Sequence, residues 1–255
     1  SSVSKVSIAE EMNAKFRCTM EDAYVVEDGL GGDPATGFFG IYDGHGGREV
    51  AEYLRINLHT NVEKQLALKG DRSVEECLKA AFLETDVNCN KAGDYQSGST
   101  ACTCLVRSAD SKKYVFTANC GDARAVLCND GRAVRLSLDH KASDESEVKR
   151  IEALGGFIIR RRVMGVLAVA RAFGDFALKK FVPAEPYTSS HKLDTRAQFI
   201  VLACDGIWDV LEDQVAVDIV RENLGSSSNR VAQILVDAAI SLGSTDNVTA
   251  MVIFL

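Results

Sequence analysis

No apolar stretch in the sequence approaches the roughly 18 residues that a membrane-crossing helix requires, and no signal-peptide pattern opens it. Membrane insertion is therefore not expected. There are only four histidines, and none of the eight cysteines forms a CxxC pair, which argues against a zinc site of the usual spacing. No cysteine is followed by five residues and an arginine, which excludes a thiolate set in an arginine-lined phosphate cradle. A GxxxxGK[ST] loop for nucleotide phosphates is missing, and so is an Asp-x-Asp nucleophile loop. Positive charge is in deficit, with a net charge of -7. Such a surface is a poor partner for nucleic acid or anionic membrane, and neither is expected.

Eight is an even number, but a chain of 255 residues does not need a disulfide framework. The nearest pair, Cys102 and Cys104, is expected to point to opposite faces of a strand. Free, mostly buried thiols and a reducing compartment, cytoplasmic or nuclear, are the expectation. Ser1 is no initiator, so an upstream segment, targeting included, stays open.

What is present reads as an ordinary globular chain, 46% apolar and 25% charged. Five segments have helical spacing. The first runs from Gly46 to about Lys69 with Gly70 as its C′ residue, and the second is capped by Ser73 and runs to about Asn88. A third runs from Ser143 or Asp144 to Leu154, and the last two, Asp213–Leu224 and Asn229–Leu242, flank a Gly-Ser-Ser-Ser turn. Strand composition marks Gly37–Tyr42, Thr100–Val106, Tyr114–Asn119, Ala123–Cys128, Arg132–Leu136, Phe157–Val163, Gln198–Cys204 and Asn247–Leu255, with a tight turn at Asn129-Asp130-Gly131. Helices arrive in pairs with consecutive strands between them, so an α+β chain with mainly antiparallel sheets is expected, as one domain over 1–255.

The acidic residues are distributed in a particular way. Asp43, Asp122 and Asp205 each end an apolar run, and Asp246 directly precedes another. Asp and Gly also punctuate turns, and any one of these aspartates is explained that way. If the four strand ends converge, the carboxylates must be paired, protonated or bound to cations. An oxygen-rich set suits Mg²⁺ or Mn²⁺ better than Zn²⁺. His45 lies two residues beyond Asp43 among glycines, as a structural, exposed or catalytic imidazole. Arg17 with Met20-Glu21-Asp22 reads either as a surface ion-pair cluster or as part of the same site.

The Gly-Asp-x-His-Gly and Gly-Asn-His-Glu pair of another binuclear hydrolase class is absent. Eight segments, in order, resemble the PPM family of metal-dependent type 2C protein serine/threonine phosphatases. They are Arg17–Asp22, Tyr42–Gly47, Ser97–Ala101, Asn119–Arg124, Asp139–Lys141, Leu167–Asp175, Ala203–Asp209 and Thr245–Thr249.

The resemblance implies a central sandwich of two antiparallel sheets flanked by pairs of helices, with a flap at about 143–170. It implies two Mn²⁺ or Mg²⁺ ions, Asp43 bridging them, the Gly44 carbonyl on one, Asp205 and Asp246 on the other, and Glu21 acting through water. Asp122, with Asp205 and Asp209, resembles a weaker third site. Arg17 is implied to grip phosphate oxygens, His45 to act as general acid and Asp22 to support them from behind. Substrates would be phosphoproteins, and a monomer is the default. A pseudophosphatase that only binds is the alternative, although such relatives lose ligands that this chain keeps. Ala142 stands where proline is common, which should loosen that turn, and Met164 and Ala170 replace asparagine and serine. Arg160-Arg161-Arg162 either meets acidic substrates or is a solvated basic strand end.

Overall fold

Apolar runs buried on both faces build the centre of the molecule. The structure is a computed structural model that describes residues 1–93, 95–109, 112–227 and 230–255. In chain order the elements begin with β1 (Lys5–Glu11), β2 (Ala23–Asp28), β3 (Thr36–Tyr42), β4 (Gly44–His45), α1 (Glu49–Ala67) and α2 (Val74–Ala92). There follow β5 (Gly98–Ser99), β6 (Ala101–Ala109), β7 (Lys112–Cys120), β8 (Arg124–Asn129), β9 (Arg132–Arg135), α3 (Glu145–Ala153), β10 (Ile158–Ile159), β11 (Arg162–Val163) and β12 (Phe173–Gly174). The chain closes with β13 (Tyr187–Leu193), β14 (Ala197–Ala203), α4 (Asp205–Trp208), α5 (Asp213–Glu222), α6 (Leu224–Ser227), α7 (Val231–Ser241) and β15 (Val248–Phe254).

Two five-stranded antiparallel sheets, β1-β15-β14-β8-β9 and β13-β7-β6-β3-β2, form the sandwich. Side chains alternate across each strand, so neighbours serve different cores. Phe39 and Ile41 enter the layer between the sheets, whereas Phe38 and Tyr42 pack under α1 and α2. In β14, Ile200 and Leu202 point inward, while Phe199, Val201 and Ala203 meet α5 and α7. This double burial is why these strands read as continuous apolar runs. The expected α+β sandwich with helix pairs outside is the architecture observed.

The helices follow their local chemistry. α1 buries Val50, Leu54, Leu58 and Val62, spaced four apart on one face. It ends at Ala67 with Leu68 as cap, so Gly70, at φ 54°, serves the following turn rather than the C′ position. Ser73 caps α2 in a reciprocal box: its hydroxyl accepts from the Glu76 N–H at 3.1 Å, and the Glu76 carboxylate accepts from the Ser73 N–H at 2.7 Å. Among the described residues no helix is long and apolar enough to cross a membrane.

Several expectations are corrected. Cys102 and Cys104 both line the inter-sheet core, because residues two apart in a strand share a face. All eight cysteines are free and seven are buried. The run Phe157–Val163 is a two-residue hairpin, β10 against β11, turning at Arg160-Arg161. The Ala142 N–H donates to the Ala168 carbonyl at 2.8 Å, a bond proline cannot make, so alanine ties this turn to the segment at Ala168 instead of loosening it. β1, β2, β13 and the short strands were not evident from composition. Gly225–Ser227 of the expected turn is helical, and Ser228 and Asn229 lie outside the described residues.

Candidate metal centre and active site

Antiparallel pairing sets where the carboxylates meet. Ile41 at the end of β3 pairs with Cys102 near the start of β6, and Ala101 pairs with Cys120 at the end of β7. In the other sheet Ala203 pairs with both Arg124 and Ala250. The ends of β3, β7 and β14 therefore share one rim with the starts of β8 and β15. Asp43, Asp122, Asp205 and Asp246 extend from these ends.

Carboxylate oxygens of Asp43, Asp122 and Asp205 lie within 4.8 Å of one another. Asp43 also shares a second group of the same span with Asp22 and the Cys204 sulfur. Removal from water, then the charges of Asp205, Asp22, Asp122 and Asp246, push Asp43 well above the usual carboxylate range. Burial, then Asp122 and Asp246, do the same to Asp205. Burial lifts both Asp22 and Asp122 to about 6. Asp22 is fully buried and accepts from the Thr249 hydroxyl at 2.6 Å. Cys204 is a thiol, raised by burial, and accepts the Thr249 N–H at 3.2 Å.

Other residues singled out in the sequence stand at the border. Arg17 pairs with Asp246 rather than with Glu21 or Asp22, and its Nε donates to the Thr245 carbonyl at 3.3 Å. The Glu21 carboxylate accepts from the Thr19 hydroxyl at 3.0 Å. Lys141 pairs with Asp209 at 2.6 Å. A Cβ at Gly44 would collide with the Glu21 carbonyl oxygen, so the chain passes here only as glycine.

His45 has a partner that sequence reasoning missed. Its Nε2 lies 2.7 Å from Asp175 Oδ2, with the aspartate side chain 10% exposed. Asp175 has left-handed backbone at φ 46°, and the N–H of the preceding Gly174 donates to Asp86 at 2.9 Å. The pair lies directly over Gly98, where any Cβ would strike both side chains. Asp175 follows the short strand Phe173-Gly174, as Asp43, Asp122 and Asp205 follow theirs. Asn247 was also missed: its amide donates to the Met12 and Thr19 carbonyls and its oxygen accepts from the Glu21 N–H at 2.9 Å, anchoring the N-terminal segment.

The chemistry of the donor set fits a hard divalent cation. One of the two close groups, Asp43 with Asp122 and Asp205, consists of carboxylates alone, and the bordering cations Arg17 and Lys141 are engaged by Asp246 and Asp209. An antiparallel sandwich with clustered oxygen donors at its strand ends, and an arginine and a histidine in the adjoining segments, is suited to metal-assisted chemistry on an anionic substrate.

Comparison with known proteins narrows the class. The profile described as protein phosphatase 2C matches residues 7–248. Protein phosphatase 2C homolog 1 of Saccharomyces cerevisiae is 38% identical, with 98% of this chain and 93% of that protein covered. The Schizosaccharomyces pombe protein of the same name is 39% identical, with 96% and 72% covered. Among solved structures, a sex-determining protein of C. elegans aligns with a TM-score of 0.89 at 26% identity, covering all of this chain and 65% of that one. A Toxoplasma gondii serine-threonine phosphatase 2C gives 0.85 at 20% identity over 98% and 94% of the two chains, which supports the fold. The chain belongs to the protein phosphatase 2C family. Its activity is metal-dependent dephosphorylation of serine and threonine residues in proteins.

Proposed function

We propose that the chain releases phosphate by direct attack of water, without a phosphoenzyme, at a centre of two Mn²⁺ or Mg²⁺ ions. The observation that carries this reading is the convergence of the Asp43, Asp122 and Asp205 carboxylates within 4.8 Å of one another. Asp43 would bridge, with the Gly44 carbonyl on one ion, Asp205 and Asp246 on the other, and Glu21 reaching through water. Asp122, Asp205 and Asp209 would form a weaker third site. When bound, such ions supply an acidified water and neutralise phosphoryl charge.

The remaining work belongs to side chains. The Arg17 guanidinium, 46% exposed, presents a planar fork to phosphoryl oxygens once it releases Asp246. His45 donates its proton to the departing serine or threonine oxygen, and Asp175 fixes the ring for that transfer. Asp22, tied to Thr249, supports Asp43 from behind. The binding-module alternative gains no support, since Asp43, Asp205, Asp246, Arg17 and His45 are all kept.

We read 1–255 as one catalytic domain, with 143–170 as a flap whose own small core includes Ile151, Val163, Leu167 and Val169. A monomer acting on phosphoproteins in a reducing compartment, cytoplasmic or nuclear, fits the free buried thiols. Phosphate release from a phosphothreonine peptide, with and without millimolar Mn²⁺, tests the reading. Release should require metal and fall on the order of 10²–10³-fold in Asp205→Asn. No release from folded, metal-supplied wild type would overturn it.

A further inference from the structure

The tip of the flap carries three consecutive arginines that the mechanism does not use. Arg160 and Arg161 are the central residues of the β10–β11 turn, and both have positive φ, 50° and 60°. Two-residue hairpins of this kind favour Asn-Gly, because arginine meets its own backbone in the left-handed region. All three arginines are exposed. Among the described residues, none of them forms an ion pair with a carboxylate, although the chain carries a net charge of -7. Arg162 donates only to the Val166 carbonyl, at 2.7 Å.

The position of the turn is fixed. Val163 is buried in the flap core, and Lys141 bridges to Val169 beside it. Glu147, gripped by Arg150 and Arg171, holds α3 against the same segment. The arginines line one cleft of about 360 Å³ together with Asp122, Asp205 and Asp209. The same cleft thus holds carboxylates of the candidate metal centre, one of them paired with Lys141, and three guanidiniums without a carboxylate partner among the described residues.

We propose that the Arg160–Arg162 turn is a subsite for a second anionic group of the phosphoprotein substrate, a carboxylate or another phosphate flanking the residue being hydrolysed. The inference rests on the phosphatase reading above. A guanidinium fork accepts either anion bidentately, and three of them on a fixed turn lose little freedom on binding. A phosphopeptide is favoured over other polyanions because the arginines share one cleft with the carboxylates where its phosphate would be hydrolysed.

The test uses phosphothreonine peptides with alanine, glutamate or phosphoserine at flanking positions, and a small aryl phosphate. Turnover is measured on these, and affinity on matched peptides with a non-hydrolysable phosphonate at the scissile position. The double variant R160N/R161G removes two charges while giving the turn its preferred residues. Affinity and kcat/KM for the anionic peptides should fall about tenfold, with alanine peptide and aryl phosphate unchanged. A greater loss on phosphoserine than on glutamate peptides assigns a second phosphate, a greater loss on glutamate peptides assigns a carboxylate, and equal losses assign a subsite that takes either anion. Equal loss on every peptide, or no loss on any, overturns the subsite. Absence of turnover on all substrates would remove the hydrolase reading, while the phosphonate affinities would still decide the subsite.

Discussion

Two acidic regions of this protein solve the same electrostatic problem in opposite ways. In the flap, Glu147 is buried, and burial alone would raise its pKa. Hydrogen bonds and charge from Arg171 and Arg150 outweigh that and hold the carboxyl below its usual range. Asp213, between Arg135 and Arg124, behaves likewise. Asp86 has one cation, Lys179, and burial still lifts it. At the strand-end rim Asp43 and Asp205 face other carboxylates, Asp22, Asp122 and Asp246 among them, and burial plus like charge lift both well above the usual range. Where the fold needs a carboxylate for structure, it brings its own guanidinium. Where it leaves carboxylates facing carboxylates, the missing positive charge comes from outside.

The largest expected effect sets the two regions against each other. Glu147→Ala leaves two guanidiniums without their anion and should cost about 3 kcal/mol in denaturant unfolding. Asp43→Asn in metal-free protein relieves repulsion and should cost nothing or stabilise slightly, despite abolishing activity. Equal destabilisation by the two variants would break the comparison.

Next comes the His45–Asp175 pair, where a carboxylate serves a ring rather than a cation. Asp175→Asn should lower kcat on phosphoserine and phosphothreonine peptides about 10–100-fold. An aryl phosphate with a good leaving group needs no proton donor and should lose only severalfold. Parallel losses on both substrates would reduce Asp175 to a structural role.

The smallest effect is a pH dependence. Burial raises Asp22 and Asp122 from 3.8 to about 6, so between those values the folded metal-free chain binds more protons than the unfolded one. Its stability from these groups is present below 3.8 and lost as pH rises through about 6. Divalent ions replace those protons, so the Mn²⁺-induced rise in Tm should grow across this window and level off above it. A rise in Tm that does not change with pH would sever the link between the raised carboxyls and the metal.

Much was legible in the chain itself. Apolar runs such as Phe199–Ala203 are long because both faces are buried, and that local pattern gives strands, layers and the aspartates at their ends. The Ser73 cap and the stop of α3 before Gly155 are likewise written in neighbouring residues. Strands with polar faces, β1 and β13 among them, escaped because composition there does not separate strand from loop. Partner choice was not legible at all. Arg17 meets Asp246 across 229 positions and His45 meets Asp175 across 130. The flap arginines reach the cleft of Asp122 and Asp205 only after the sheets have closed. Periodicity records which face of an element is buried, because burial is local and non-directional. Which charged groups meet depends on directional contacts between distant segments, and only the folded chain fixes those.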